Sequence, residues 1–130
     1  MPRAHANGIE LEYETLGDAG APPLVLIMGL ASQLIVWPDE LCRLLAAHGF
    51  RVIRFDNRDV GLSTKPATHY TLDDLADDTC GLLDALALPA AHVVGASMGG
   101  FIAQLVALRH PSRVRSLGLL MTSTGARASK

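Results

Sequence analysis

Ser97 stands at the centre of Gly95-Ala96-Ser97-Met98-Gly99, a G-x-S-x-G segment. A serine hydroxyl becomes a useful nucleophile when it is held clear of the backbone and a base can take its proton. Small residues two before and two after it let the chain turn sharply from a strand into a helix, which lifts the hydroxyl above a sheet. Acyl transfer also needs two backbone N–H groups aimed at the developing oxyanion, and one of them can come from the residue after the nucleophile, here Met98. The other is expected from Met28-Gly29-Leu30-Ala31, which ends an apolar run: Gly29 lets the backbone turn, and the Leu30 amide is the donor. A dinucleotide fingerprint, G-x-G-x-x-G, would need glycine where Ser97 stands and would follow the first strand, not a late one.

The base and acid that would serve such a serine are harder to find. After Ser97 the sequence has no Asp or Glu, and its one histidine, His110, sits before Pro111 at the far end of the helix that begins at the turn. A helix of about 12 residues is roughly 18 Å long, so His110 belongs to the opposite rim. In a parallel sheet the site forms at the carboxyl ends of the strands. His48 and His92 precede strands and face the wrong rim, while His5 lies in an opening hairpin. His69 alone occupies a loop leaving a strand's carboxyl end, so it is the one candidate for a substitute base.

Alternating strands and helices must position these groups. Asn7-Gly8 is a hairpin signal, followed over Ile9 to Leu16 by apolar residues alternating with Glu10, Glu12 and Glu14. Leu24 to Met28 reads as a strand covered on both faces. Pro38 suits the first turn of a helix that stops at Gly49, and Val52 to Phe55 is the next strand. Thr71-Leu72-Asp73-Asp74 opens a helix running to about Leu88, its aspartates at positions 73, 74, 77, 78 and 84 filling the first turns and a solvated outer face. A strand over His92 to Ala96, a helix from about Gly99 to His110 and a last apolar strand near Val114 to Met121 complete the order. Such alternation implies right-handed crossovers and a doubly wound, mainly parallel α/β sheet with an antiparallel N-terminal hairpin.

Composition narrows the function classes. The 130 residues suit a single domain, and charged residues make up only 18% against roughly 25% in an average soluble domain. Something apolar is therefore buried deeply or meant to be covered. With 11 basic and 13 acidic residues scattered along the chain, no basic stripe invites nucleic acid and no polybasic tether invites a membrane. No apolar run approaches the 18 or so residues of a membrane span, so a cytoplasmic protein is expected. Cys42 and Cys80 lie outside any CxxC or Cys/His cluster and read as reduced, buried thiols.

Taken in order, the opening hairpin, the Met28-Gly29-Leu30 turn, the stretch Phe55-Asp56-Asn57-Arg58-Asp59-Val60-Gly61-Leu62-Ser63 and the Gly95 to Gly100 elbow resemble the N-terminal half of the α/β-hydrolase family. Within it the chain is most similar to small esterases and methylesterases related to aclacinomycin methylesterase. It departs from the wider pattern in having Met28 for the histidine of the common oxyanion motif and Asp59 for a glycine. Arg58 and Asp59 are expected to hold their loop, and Asp56 to tether its own. In that family the acid and histidine come after the nucleophile on later strands.

The resemblance thus implies an incomplete α/β-hydrolase fold of about six strands and three helices over residues 1–130, lacking the strands that would carry acid and histidine. It implies a serine hydrolase of carboxylic esters, working through an acyl-enzyme on Ser97, weak or inactive in isolation, with no cofactor or metal. The substrate would be a small hydrophobic ester, with Leu34, Trp37 and Met98 as candidate pocket walls. An open apolar edge on the last strand would favour a homo-oligomer or a complementing C-terminal half. The alternative is a non-catalytic assembly module pairing through that edge.

Overall fold

Asn7 and Gly8 both take positive φ, 51° and 81°, the geometry of a tight primed turn. They join β1 (Arg3–Ala6) to β2 (Ile9–Leu16) as the antiparallel opening hairpin. A computed structural model describes residues 2–28, 37–58 and 71–120. Its remaining elements are β3 (Pro23–Ile27), α1 (Asp39–Ala47), β4 (Arg51–Phe55), α2 (Leu72–Ala85), β5 (Ala91–Ala96), α3 (Met98–Arg109), a short 3-10 turn (Pro111–Arg113) and β6 (Val114–Leu120). The strands form one mixed sheet in the order β1-β2-β4-β3-β5-β6. β2 pairs antiparallel with β4, whereas β4, β3, β5 and β6 run parallel.

β3 is buried along its whole length, as its unbroken apolar run requires. Side chains alternate across a strand. Leu24 and Leu26 accordingly join a cluster with Trp37, Cys42 and Val52 on the side of α1, while Val25 and Ile27 join the larger cluster with Phe55, Leu82 and Ile102 on the side of α2 and α3. From β3 the chain winds first to β4 on one side and then to β5 on the other. The winding therefore reverses at the carboxyl end of β3, where open α/β sheets hold their ligands.

The helices end as their backbones allow. α1 closes in a Schellman motif, with Gly49 at φ 95°, its N–H on the Ala46 carbonyl at 3.1 Å and the Phe50 N–H on Leu45 at 3.3 Å. α2 opens on a capping box between Thr71 and Asp74. It stops at Ala85, three residues before the expected Leu88, in the same motif, with Ala87 in the left-handed position at φ 58° and the Leu88 N–H on Leu83 at 2.8 Å.

Two acidic side chains contradict the sequence pattern. Asp78, expected on the solvated face of α2, is wholly buried, because Arg58 grips it through Nε and Nη2 at 2.7 and 2.8 Å and Asn7 donates to it at 2.9 Å. Glu12, expected to face outward from β2, is buried as well. Arg54 lies inside too, held by Glu14, by Asp39 at 2.6 Å and by the Trp37 carbonyl at 2.6 Å, so β2, β4 and the start of α1 meet around one guanidinium.

α2 and α3 are clipped at the rim by Asp77, which accepts from Arg109 at 3.0 Å and contacts His110 Nε2 at 2.8 Å. Partial burial pushes the Asp77 carboxyl up, but the hydrogen bonds from His110 and Arg109 outweigh it and hold the group below the usual carboxylate range. A carboxylate depressed in the folded state contributes stability that is complete above its unfolded pKa of about 3.9 and is lost as pH falls through the folded value. Urea midpoints for the wild type should therefore drop on acidification below about pH 4, and Asp77→Asn should flatten that slope. An unchanged slope in Asp77→Asn would assign the acid sensitivity elsewhere.

Candidate active site

β5 ends at Ala96 and α3 begins at Met98, leaving Ser97 alone to make the turn, at φ 55° and ψ −123°. A serine in that region is strained by roughly 1–3 kcal/mol, and such strain persists only where the surroundings impose it. Here they do. A Cβ on Gly95 would lie 2.1 Å from the Gly99 carbonyl oxygen, and one on Gly99 would lie 2.2 Å from that of Ile27. Both glycines of the motif are thus fixed by close backbone approach, one within the turn and the other against the central strand. The Ser97 side is exposed, its N–H donates to the Leu120 carbonyl of β6 at 2.9 Å, and its carbonyl accepts from the Gly100 N–H at 2.9 Å.

Because the Ser97 N–H is already engaged in the sheet, a backbone donor beside the hydroxyl has to come from further along. Met98 is the first residue of α3, and its N–H has no acceptor within the helix. It also sits at the positive end of the helix dipole. Its side chain is half-buried against the larger core cluster. Gly29, Leu30, Leu34, Asp59 and His69, among them the residues expected to supply a second oxyanion donor and a substitute base, lie outside the described residues. Trp37 is buried in the core with Leu26, Cys42 and Ala96.

At the carboxyl end of β4, Asn57 is 3% exposed and its Nδ2 donates to the Met28 carbonyl at 3.2 Å, while its Oδ1 has no partner among the described residues. In the sequence Asn57 stands within the Phe55 to Ser63 stretch with nothing to mark it for a role, since Met28 is distant along the chain. Asp56 is buried, its N–H donating to the Glu12 carbonyl at 3.0 Å. Arg58 pairs with Asp78 of α2, and the loop that it and Asp59 are expected to hold lies outside the described residues.

The described histidines stay away from Ser97. His110 is on Asp77 at the other end of the 12-residue α3. His92 contacts Ser116 at 2.7 Å and stacks edgewise on Phe50, and His48 bonds to the Leu44 carbonyl at 2.8 Å. His5 is in β1, four strand spacings from β5, about 19 Å. A cleft lined by Asp77, Cys80, Asp84, Arg109, His110 and Arg113 opens on that distant rim, where its charges pair with one another. The thiols offer no rival nucleophile: both are free and buried, burial pushing Cys42 up and Cys80 up to about 11. Among the described residues no group of three or more His, Cys, Asp or Glu could hold a metal ion, and no helix is long and apolar enough to cross a membrane.

A family model described as alpha/beta hydrolase fold matches residues 22–128. The chain belongs to that family. It is 44% identical over 116 residues to rhodomycin D methylesterase DauP of Streptomyces sp. (strain C5), covering 87% of this chain and 39% of that protein. It is 32% identical over 122 residues to 3-oxoadipate enol-lactonase 2 of Acinetobacter baylyi, covering 94% of this chain and 44% of that one. Among solved structures, the enol-lactonase from Burkholderia xenovorans LB400 superposes with a TM-score of 0.83 at 36% identity, over 89% of this chain and 45% of its own. The chain spans about two-fifths of the length of these hydrolase-fold relatives, and the six strands and three helices among its described residues are a partial version of their fold.

Proposed function

We propose that this chain carries the nucleophile-bearing half of a serine hydrolase acting on carboxylic esters. The observation that carries the reading is the strained, exposed Ser97 at the strand-to-helix turn, beside the Met98 amide that opens α3 and has no acceptor within that helix. Ser97 Oγ would attack the ester carbonyl carbon, its proton passing to a base. The Met98 and Leu30 amides would hold the oxyanion of the tetrahedral intermediate. Collapse releases the alcohol, which takes up a proton, and leaves an acyl group on Ser97; water then attacks that ester, frees the acid and restores the hydroxyl. The base is His69 or a group brought by assembly. Methylesterase and enol-lactonase relatives support a small hydrophobic ester or lactone as substrate.

A second reading has its own observation. β6 pairs with β5 alone among the described residues, and Leu117, Leu119 and Leu120 are 38–48% exposed along it. An open apolar edge of this kind pairs readily with another chain. In this reading the chain is an assembly module that docks through β6 to a second copy or to a complementing C-terminal half, and the serine is idle.

One experiment separates the two. Hydrolysis of a short-chain nitrophenyl ester by the 130-residue chain should exceed that of Ser97→Ala by at least tenfold, across a range of protein concentrations. A rate per chain that is constant with concentration means that the base comes from within the chain, with His69 the first to mutate, and one that climbs steeply assigns it to assembly. Equal rates for wild type and Ser97→Ala would overturn the hydrolase reading and leave the module.

A further inference from the structure

Three backbone carbonyl contacts converge where β3 ends. The Ile27 and Met28 carbonyl oxygens lie 2.2 and 2.9 Å from where a Gly99 Cβ would be, so the last carbonyls of the central strand press directly on the elbow. Two residues beyond β4, Asn57 donates its Nδ2 to the same Met28 carbonyl at 3.2 Å. The Met28 oxygen therefore lies close against Gly99, beside the turn that bears Ser97, and accepts from a buried side chain just past the neighbouring strand. Asn57 is 3% exposed, and burying an amide there is costly unless the hydrogen bond it makes is needed.

We infer that Asn57 is a positioning residue for ester hydrolysis, acting through the Met28 carbonyl. Fixing the Met28 oxygen holds the backbone against which Gly99 packs, and with it the Ser97 turn and the direction of the Met98 amide at the start of α3. Donors to an oxyanion work because their direction is set before the reaction, and a misplacement of about 1 Å in such a group can cost roughly 100-fold in rate. The inference rests on the serine hydrolase reading. It assigns to Asn57 no contact with substrate.

The test uses the full chain with carbonyl-labelled methionine. Asn57→Leu keeps the branching and heavy-atom count of asparagine and leaves no stranded oxygen, and its urea midpoint confirms that it is folded; Asn57→Gln keeps the amide donor. In Asn57→Leu the Met28 carbonyl resonance should shift away from its hydrogen-bonded position, while the turnover number for the nitrophenyl ester falls about 10- to 100-fold at a KM changed less than threefold. Asn57→Gln should recover part of both. An unmoved Met28 resonance would overturn the inference, as would a moved resonance with unaltered turnover. Equal turnover by wild type and Ser97→Ala would instead sink the hydrolase reading and, with it, a role in hydrolysis, the resonance still reporting whether Asn57 holds Met28.

Discussion

Gly99→Ala should destabilise the fold by about 3 kcal/mol, the upper part of the range for forcing an extra carbon into packed surroundings. The added Cβ would meet the Ile27 carbonyl oxygen at 2.2 Å and its carbon at 2.7 Å. Neither belongs to a side chain that can swing aside, since Ile27 pairs in parallel with Gly95 inside the sheet. Relief has to come from moving α3 away from β3, which also moves Ser97. Ester hydrolysis should accordingly fall by roughly 100-fold or more, even at temperatures where the variant stays folded. Gly20→Ala is the control, because a Cβ there has only the Asp18 carboxylate in reach, at 3.8 Å, and an exposed site of this kind changes stability by no more than about 0.5 kcal/mol. Urea unfolding of both variants decides the matter: equal midpoints would mean that the backbone of the elbow is looser than its contacts indicate.

Arg58→Met should cost about 3–5 kcal/mol, as breaking a buried ion pair from one side does. The damage comes from what is left behind: a wholly buried Asp78 carboxylate with the Asn7 amide as its remaining described donor. The double replacement Arg58→Met with Asp78→Leu removes both charges and should return most of the lost stability, since an apolar pair of similar volume is often neutral or better. Thermal melts of the two single variants and the double close that cycle. A double variant no more stable than Arg58→Met would show that the pair acts through geometry that leucine and methionine cannot replace. The pair joins the end of β4 to α2, and Asn7 adds the hairpin turn, so this test also probes what anchors the loop that leaves β4.

Much of this architecture is legible in the residues, for reasons that differ element by element. The unbroken run Leu24 to Ile27 announces a doubly covered strand, and Gly49 announces the end of α1, because only glycine reaches a left-handed backbone without cost. The end of α2 is hidden, since Ala87 takes that same backbone conformation with nothing in its side chain to signal it. Asp78 is misread for a related reason: an aspartate in an acidic run looks solvated until the fold brings Arg58 to it from twenty positions away. At the site, the spacing around Ser97 reveals the turn because Gly95 is demanded by backbone contact within the turn itself, while Gly99 is demanded by the close approach of Ile27 from the central strand. Asn57 is invisible, its partner Met28 being brought close only by strand pairing between β3 and β4.

The hydrogen bond from the Ser97 N–H to the Leu120 carbonyl ties the turn to the outermost strand of the sheet. Any unzipping of the sheet from that margin therefore loosens the reactive turn before it touches β3. Among the described residues the serine thus stands one hydrogen bond from the margin of the sheet, and its backbone is shared between the central strand and the edge.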